Sequence, residues 1–446
     1  MSNILRAFWG GLVALTILWL VATPGVSSAT SFRELRGFMV QYSGVLAIGC
    51  MSFAMFLALR PRWPEHWFGG MDKMYRLHKW LGIAGLVLAI LHWVWSNGPK
   101  WAVGLGLSTQ GRRQGRAELQ DPIQSYLAGF RGAAEAIGEW AFYASVLLIG
   151  IALVKLIPYR LFHRLHRLLP IAYLALVFHA VILLDVNYWL TPLGAVLAVM
   201  LAAGSYAAVV SLLGGIGTAR CTTGTIMDLQ SFPGVKALRT TIRMVPGWPG
   251  HKAGQFAFVT SDTKEGAHPY SIASSWDPGS PTITFVTKAL GDHTSQLENK
   301  LTPGQNVRIE GPYGCFTFDD DQPVQIWIGG GIGITPFIAR MEHLAKDHPQ
   351  TKRSVHLFHS TKDVDTAALA RLQQDAGAAG IHLHVLIDAK DGLLTGDRIR
   401  QEVPEWREAS FWFCGPAKFG AALKADFAAQ GIPVRSRFHQ ELFEMR

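Results

Sequence analysis

Charged side chains are scarce in this sequence, and cysteine is scarcer still. Asp, Glu, Lys and Arg together make up 16% of the 446 residues, whereas a soluble domain usually carries about 25%. With 49% hydrophobic residues, this excludes a disordered chain and argues against a wholly soluble protein. The four cysteines, none of them in a predicted outward loop, provide no disulfide framework.

The net positive charge lies entirely in one half of the chain. Basic minus acidic residues gives 41 − 32 = +9 for the whole sequence. Residues 1–219 hold 17 basic and 8 acidic side chains, whereas residues 220–446 hold 24 of each. A basic excess in the hydrophobic half is typical of membrane orientation rather than of nucleic-acid binding.

Six apolar stretches with almost no charge predict membrane-spanning helices, each of which needs roughly 20 residues. The predicted helices cover residues 8–27, 38–59, 76–96, 138–157, 166–186 and 192–214. The first stretch also resembles a cleavable signal peptide, since the small and polar residues Val26 to Ser31 follow it. Because its apolar run of about 19 residues exceeds a typical signal-peptide core, we expect this helix to be retained.

Basic loops predict the orientation of these helices. Loops 60–79 and 155–167 carry five and four Lys or Arg residues. Such residues concentrate in cytoplasmic loops. We therefore expect both loops, and the C-terminal half of the chain, to face the cytoplasm.

Four histidines fall within predicted spans, and ionisable residues inside a membrane are functional candidates. His78 and His92 lie 14 residues apart on the third helix, and His166 and His179 lie 13 apart on the fifth. Because these two helices run parallel, the second histidine of each lies about 20 Å deeper than the first. Two histidines at each of two depths predict two bis-imidazole haem sites, His78 with His166 and His92 with His179.

Other interpretations of these histidines stay open. Each could simply hydrogen-bond a neighbouring helix. Zinc is less favoured, because each depth offers two ligands and no nearby carboxylate or thiolate. A separation of thirteen residues also places His166 and His179 about 140° apart around an ideal helix. Taking His163 instead of His166 as the ligand does not improve this alignment. Pro170 between them can kink the helix or shift its register.

From Arg220 onward, short alternating segments replace the long apolar runs. Residues 254–259 and 283–288 have the alternation of half-buried strands. From about Gln322, strands alternate with helices, which implies a parallel sheet. The predicted elements are strand 325–328, helix 335–347, strand 355–358, helix 364–376, strand 381–387 and strand 411–413.

Two segments of this half suit a flavin and its pyrophosphate. His268-Pro-Tyr-Ser271 joins an aromatic ring to a hydroxyl, although a half-buried strand alone has the same pattern. Lys288-x-x-Gly-Asp-His-Thr294 adds a cation, a glycine and a hydroxyl before a predicted helix. Backbone amides at such a helix start attract phosphate.

Two further motifs follow predicted strands. Gly329 to Pro336, GGGIGITP, opens a helix, and its glycines permit close approach to a dinucleotide pyrophosphate. Cys414-Gly-Pro416 follows another strand end, where open α/β sheets bind ligands. Taken alone, Cys414 is more typical of a buried apolar position.

Six features follow one another along the chain: the histidine spacings, HPYSIASS, GPYG at 311–314, GGGIGITP, CGP and the terminal FHQELF. Their order resembles that of the ferric reductase/NADPH oxidase superfamily. The resemblance covers nearly the whole chain. It implies a multi-domain membrane protein with a six-helix transmembrane haem domain (1–219), an antiparallel β-barrel FAD domain (220–320) and an α/β NAD(P)-binding domain (321–446). It also implies a multi-pass protein of the bacterial inner membrane with a cytoplasmic reductase half.

The resemblance further implies which residues contact the cofactors. The implied FAD residues are His268, Pro269, Tyr270, Ser271, Lys288, Gly291, Asp292, His293 and Thr294. The implied nicotinamide-nucleotide residues are Gly330, Gly331, Gly333, Thr335, Pro336, Gly415 and Pro416. Cys414 matches the cysteine beside the hydride-transfer site. Phe443, four residues after His439, matches a terminal aromatic residue that covers the flavin.

By this resemblance, electrons pass from cytoplasmic NAD(P)H through FAD and two b-type haems to an acceptor across the membrane. Animal NADPH oxidases carry a second outer histidine where this chain has Ser96, and an arginine in the second helix, whereas 37–59 has none. We therefore expect a ferric chelate rather than oxygen as the acceptor. A partner protein that takes the electrons is a further alternative, and the reductase half nearly excludes a transporter with a histidine proton relay.

The segment after the second strand of the α/β domain predicts a modest preference for NADPH. There Ser360 can donate a hydrogen bond and Lys362 can pair with a 2′-phosphate. Asp363 and Asp365 weaken this expectation, and a solvated loop remains the plain alternative.

Overall fold

The computed structural model describes residues 2–106, 122–154, 156–263, 265–347 and 353–441. These residues form two compact units. The first contains the described residues up to 216, apart from 69–72, and the second contains 69–72 and the described residues from 217 onward.

Eight α-helices occupy the described residues before the reductase half, and six of them are long and apolar enough to cross a membrane. The helices are α1 (Ser2–Ala22), α2 (Phe32–Ala58), α3 (Glu65–Phe68), α4 (Met71–Gly104), α5 (Pro122–Leu153), α6 (Tyr159–His166), α7 (Leu169–Leu183) and α8 (Pro192–Leu212). The fifth span runs across both α6 and α7. The predicted bundle of six spans is confirmed, and the chain is a multi-pass membrane protein.

Helix α2 begins at Phe32, six residues earlier than predicted. A capping box explains the early start: Ser31 Oγ accepts from the Glu34 amide at 3.3 Å, and Glu34 Oε2 accepts from the Ser31 amide at 3.3 Å. Polar and charged residues can thus form the first turn of a membrane helix. As a result Arg36 lies on α2.

The fifth span is not one continuous helix, which corrects the prediction for 166–186. Helix α6 ends at His166, and α7 starts at Leu169 with Pro170 in its first turn. Proline fits there because the first-turn amides have no intrahelical acceptor. His166 and His179 therefore need not share the face of one helix, so the 140° mismatch does not arise.

The second unit begins with an antiparallel barrel, as predicted. Its strands are β1 (Cys221–Phe232), β2 (Ala237–Met244), β3 (Phe256–Thr260), β4 (His268–Ser271), β5 (Thr282–Lys288) and β6 (Asn306–Tyr313), in the order β4-β3-β6-β1-β2-β5. An antiparallel bridge between Ile272 and Phe285 joins the two edges. The short helix α9 (Leu297–Lys300) follows β5, and apolar side chains including Ile242, Phe285 and Ile309 fill the interior.

A five-stranded parallel sheet follows, which confirms the α/β prediction. Its strands are β7 (Val324–Gly330), β8 (Ser354–Thr361), β9 (His382–Ile387), β10 (Ala409–Cys414) and β11 (Phe438–Gln440), in the order β11-β10-β7-β8-β9. Its helices are α10 (Thr335–Asp347), α11 (Thr366–Ala379), α12 (Asp388–Asp391), α13 (Gly396–Glu402), α14 (Ala417–Ala429) and α15 (Val434–Arg437).

The strand order of this sheet reverses between β7 and β10. The chain proceeds from β7 through β8 to β9 on one side, and β10 and β11 lie on the other. Cys414 pairs with Gly329 at the carboxyl ends of these two central strands. Open α/β sheets bind ligands in the crevice at such a switch point, so two of the predicted motifs lie together at the expected position.

Candidate functional site

The four intramembrane histidines form two pairs. The ring centroids of His78 and His166 lie 6.1 Å apart with 67° between the ring planes, and those of His92 and His179 lie 6.1 Å apart at 82°. Two imidazoles on opposite sides of one metal place their centroids roughly 6 Å apart, since each metal–nitrogen bond is about 2.0–2.1 Å and each centroid lies about 1 Å behind its nitrogen. The spacing of both pairs therefore fits bis-imidazole ligation.

Backbone carbonyls orient three of these imidazoles. Nδ1 of His78 donates to the Ala54 carbonyl at 2.9 Å, and Nδ1 of His92 to that of Val40 at 2.9 Å. Nδ1 of His179 donates to the Ala134 carbonyl at 2.8 Å. Because a carbonyl can only accept, Nδ1 carries the proton and Nε2 is left as the ligand atom.

The fourth imidazole has a different environment. His166 Nδ1 is buried and has no hydrogen-bond partner among the described residues. Nor does either pair have, within the described part of the chain, a third histidine, cysteine or carboxylate close enough to share a metal ion. Two-ligand sites suit a haem iron better than zinc, which takes four ligands.

Arg36 corrects the expectation that the second helix carries no arginine. Its Nε donates to the Trp95 carbonyl at 2.9 Å and its Nη2 to the Ser96 carbonyl at 2.8 Å. Pro99, four residues after Trp95, has no amide to satisfy that carbonyl within α4. Arg36 therefore replaces a lost helical hydrogen bond, and the argument against oxygen from a missing arginine no longer holds.

In the second unit, most of the predicted cofactor residues line one cleft between the barrel and the parallel sheet. Its volume is about 1140 Å³, larger than a typical single-ligand pocket of about 300–1,000 Å³. The predicted residues that line it are Pro269, Tyr270, Ser271, Lys288, Thr294, Gly330, Gly331, Gly333, Thr335, Ser360, Lys362, Cys414, Gly415 and Pro416.

Several predicted residues do not line this cleft. They are His268, Gly291, Asp292, His293 and Pro336. The rings of His268 and His293 stack on each other, with centroids 3.9 Å apart and planes 7° apart. Glu265 lies 4.0 Å from His293 Nδ1 and 3.7 Å from Lys300 Nζ. Phe443 lies outside the described residues.

The Gly329–Pro336 loop requires small residues because it touches the loop after β10. A Cβ on Gly333 would overlap the Cys414 carbonyl oxygen and lie 2.9 Å from the Gly415 nitrogen. One on Gly330 would lie 2.8 Å from Cδ of Pro416. The glycines thus allow the loops after β7 and β10 to pack against each other, and both loops line the cleft at the carboxyl ends of these strands, where open α/β sheets bind ligands.

Cys414 is buried at the end of β10, and its burial raises the pKa of the thiol well above the usual range. The nearby Glu441 carboxylate raises that pKa further. Glu441 is 4% exposed and also lines the cleft. Cys414 is therefore a neutral thiol at physiological pH. Glu441 was not among the predicted site residues, although it belongs to the terminal FHQELF segment.

Acidic side chains contact two of the predicted cofactor residues, Lys288 of the flavin segment and Ser360 of the nucleotide segment. Lys288 Nζ lies 2.6 Å from Oδ2 of Asp363, and this contact lowers the pKa of the Asp363 carboxyl. Ser360 Oγ donates to Oδ1 of Asp388 at 3.2 Å. Asp388 follows β9 directly, so the rule that ligands bind at carboxyl ends of parallel strands was the available signal for it.

Residues 43–177 match the family described as ferric reductase like transmembrane component. An NADPH oxidoreductase of Mycobacterium tuberculosis is 29% identical over 216 residues, 46% of this chain and 56% of that protein. A flavohemoprotein of Pseudomonas putida is 28% identical over 211 residues, 42% of this chain and 51% of that protein. A solved cytochrome P450 reductase from Amycolatopsis is 24% identical, with a TM-score of 0.43, covering 50% of this chain and 70% of that one.

The chain spans about half the length of the curated relatives it matches. Fold and sites together define a multi-pass membrane protein, with six helices able to span a membrane followed by an antiparallel barrel and a parallel α/β sheet. Residues 43–177 are thus similar to ferric reductase-like transmembrane components, and 42–46% of the chain is similar to an NADPH oxidoreductase and a flavohemoprotein.

Proposed function

We propose that the protein moves electrons from cytoplasmic NAD(P)H across the membrane to a ferric iron chelate, using FAD and two b-type haems. The observation that carries the proposal is the presence, in one chain, of two histidine pairs with metal-ligand spacing inside the spans and a cleft that gathers the flavin and nucleotide motifs. We assign the haem domain to residues 1–219, the FAD domain to 220–320 and the NAD(P) domain to 321–446.

Each bound group has a proposed set of protein contacts. His78 and His166 hold the inner haem, and His92 and His179 the outer one. FAD is held by the segments 268–271 and 288–294. The chemistry that these groups supply when bound is the conversion of a two-electron hydride transfer into single-electron steps. The basic segments 60–79 and 155–167 support a cytoplasmic reductase half, in a protein that we assign to the bacterial inner membrane.

The chain's own residues bind and orient the nicotinamide nucleotide. The Gly329–Gly333 loop and the first turn of α10 offer backbone amides to its pyrophosphate. Ser360 and Lys362 line the cleft and are the residues that we assign to the 2′-phosphate, which favours NADPH modestly against the opposing Asp388. Cys414, kept as a neutral thiol by burial, packs beside the reacting ring without adding a charge there.

Oxygen is the second candidate acceptor, because α2 does carry an arginine, Arg36, in contact with the Trp95–Ser96 backbone. Its guanidinium is already paired with two carbonyls, so we retain ferric iron as the first candidate. Electron donation to a membrane or periplasmic partner protein is the third.

The test is purified full-length protein supplied with NADPH and NADH. A ferric reductase reduces a ferric chelate under anaerobic conditions, because its rate of iron reduction does not depend on oxygen. In air without iron, an oxidase consumes oxygen and forms superoxide. Slow turnover with both acceptors would indicate a partner protein, and absence of haem absorbance would contradict the electron route through the membrane.

A further inference from the structure

We propose that Gly44 and Gly138 are positioning residues of the outer histidine pair. Each leaves the space in which a ligand imidazole reaches a helix carbonyl, and those contacts hold the two imidazoles in place and lower the reduction potential of the haem they bind. The inference rests on the proposed haem ligation by His92 and His179.

The two glycines stand in the same relation to the two outer histidines. His92 Nδ1 donates to the Val40 carbonyl of α2 at 2.9 Å, and Gly44 follows Val40 by one helical turn. His179 Nδ1 donates to the Ala134 carbonyl of α5 at 2.8 Å, and Gly138 follows Ala134 by one turn. Residues four apart lie on the same helix face, so each imidazole lies against a glycine.

A side chain at either position would meet the imidazole. A Cβ on Gly138 would overlap His179 Nδ1 and lie 2.5 Å from Cγ of the same ring. A Cβ on Gly44 would lie 3.2 Å from both Nδ1 and Cε1 of His92. Ordinary van der Waals contacts are 3.4–4 Å. Gly138 is therefore required for the observed geometry, whereas an alanine at position 44 demands a shift of only a few tenths of an ångström.

The inner pair is built differently. His78 donates to the Ala54 carbonyl at 2.9 Å, and the residue one turn later is Ala58 rather than glycine. His166 Nδ1 has no hydrogen-bond partner among the described residues. A hydrogen bond from an imidazole to a helix carbonyl does not by itself require glycine one turn later. Glycine is needed at the outer pair because the outer imidazoles lie so close to α2 and α5.

The carbonyl contacts have two effects on a bound metal. A donated Nδ1 hydrogen bond fixes the ring orientation and the tautomer, so that Nε2 faces the metal. It also makes the imidazole a more basic ligand. A more basic ligand stabilises oxidised iron, so loss of the hydrogen bond moves the potential in the positive direction.

The same helices offer matched controls. Among the described residues, no neighbouring atom lies within 4 Å of an ideal Cβ on Gly37 of α2 or Gly132 of α5. An alanine there adds the same methyl group and the same gain in helix propensity without touching a histidine.

The experiment compares full-length Gly138→Ala and Gly44→Ala with Gly132→Ala and Gly37→Ala. Pyridine haemochrome analysis gives haem per protein, flavin absorbance reports an intact reductase half, and a spectroelectrochemical titration gives the haem potentials. We expect Gly138→Ala to fall from two haems to one while it keeps the other haem and its flavin. We expect Gly44→Ala to keep both haems with one potential shifted in the positive direction, and both controls to match the wild type.

Two haems with unchanged potentials in both test variants would overturn the inference, as would equal haem loss in the controls. If Gly138→Ala fails to accumulate, the potential shift in Gly44→Ala decides the question. A wild-type protein with fewer than two haems would instead overturn the proposed function itself.

Discussion

Gly333→Ala is expected to impair hydride delivery without removing a cofactor. Gly333 lies in the loop after β7, where it faces the backbone of Cys414 and Gly415. The neighbouring atoms are main-chain atoms at the carboxyl end of the central strand β10, which cannot turn away as a flexible side chain would. The methyl group must therefore move the loop itself.

The size of the effect follows from the contacts. The new Cβ would overlap the Cys414 carbonyl oxygen, 2.5 Å from the carbonyl carbon, where 3.4 Å is the lower end of an ordinary contact. Relief of this overlap needs a loop displacement of roughly 1 Å, and a misplacement of that size can cost about 100-fold in rate. The accompanying overpacking costs about 1–3 kcal/mol of stability.

The assay is stopped-flow flavin reduction by NADPH and NADH, with haem and flavin content measured on the same sample. We expect kcat/KM to fall about 100-fold for both nucleotides, while chemical reduction of the haems by dithionite is unchanged. Gly377→Ala on α11, where a Cβ meets no neighbouring atom of the described chain within 4 Å, is the matched control. A test variant within twofold of the wild type would refute the role assigned to the loop.

Four further predictions concern single side chains. His78→Ala and His92→Ala should each remove one haem, and a pyridine haemochrome assay that finds fewer than two haems in the wild type contradicts the ligation. Lys362→Ala should lower kcat/KM for NADPH selectively, and an equal loss for NADH would retire the assignment. Phe443→Ala should alter nicotinamide binding or the single-turnover hydride-transfer rate, whereas unchanged kinetics would leave Phe443 as ordinary packing. Burial lowers the pKa of His251 to about 4 from 6.5. As the pH falls, the unfolded chain therefore binds this proton before the folded protein does. The contribution of His251 to the free energy of unfolding is complete above pH 6.5 and declines by at most about 3 kcal/mol towards pH 4. Thermal unfolding of wild type and His251→Gln between pH 7 and 4 measures this, and an identical pH dependence in the two proteins would count against it.

The sequence was sufficient for features that depend on local pattern. Long apolar runs predicted six spans because a span must satisfy its own backbone inside lipid. Alternation of strands and helices after Gln322 predicted the parallel sheet, and glycine-rich segments after strands predicted the ligand-binding edge. The spacing of His78 and His92, and of His166 and His179, was enough to propose pairs, since it places the residues at two depths.

The tertiary structure decided what depends on contacts between distant segments. No local pattern shows that α6 ends at His166, that the Ala134 carbonyl accepts a hydrogen bond from His179, or that the charge of Glu441 raises the pKa of Cys414. Arg36 looked like a residue before the second helix until a capping box placed it within α2. Periodicity records how a segment folds on itself, whereas hydrogen-bond partners, burial and available space are set by packing against neighbours that lie far away in the chain.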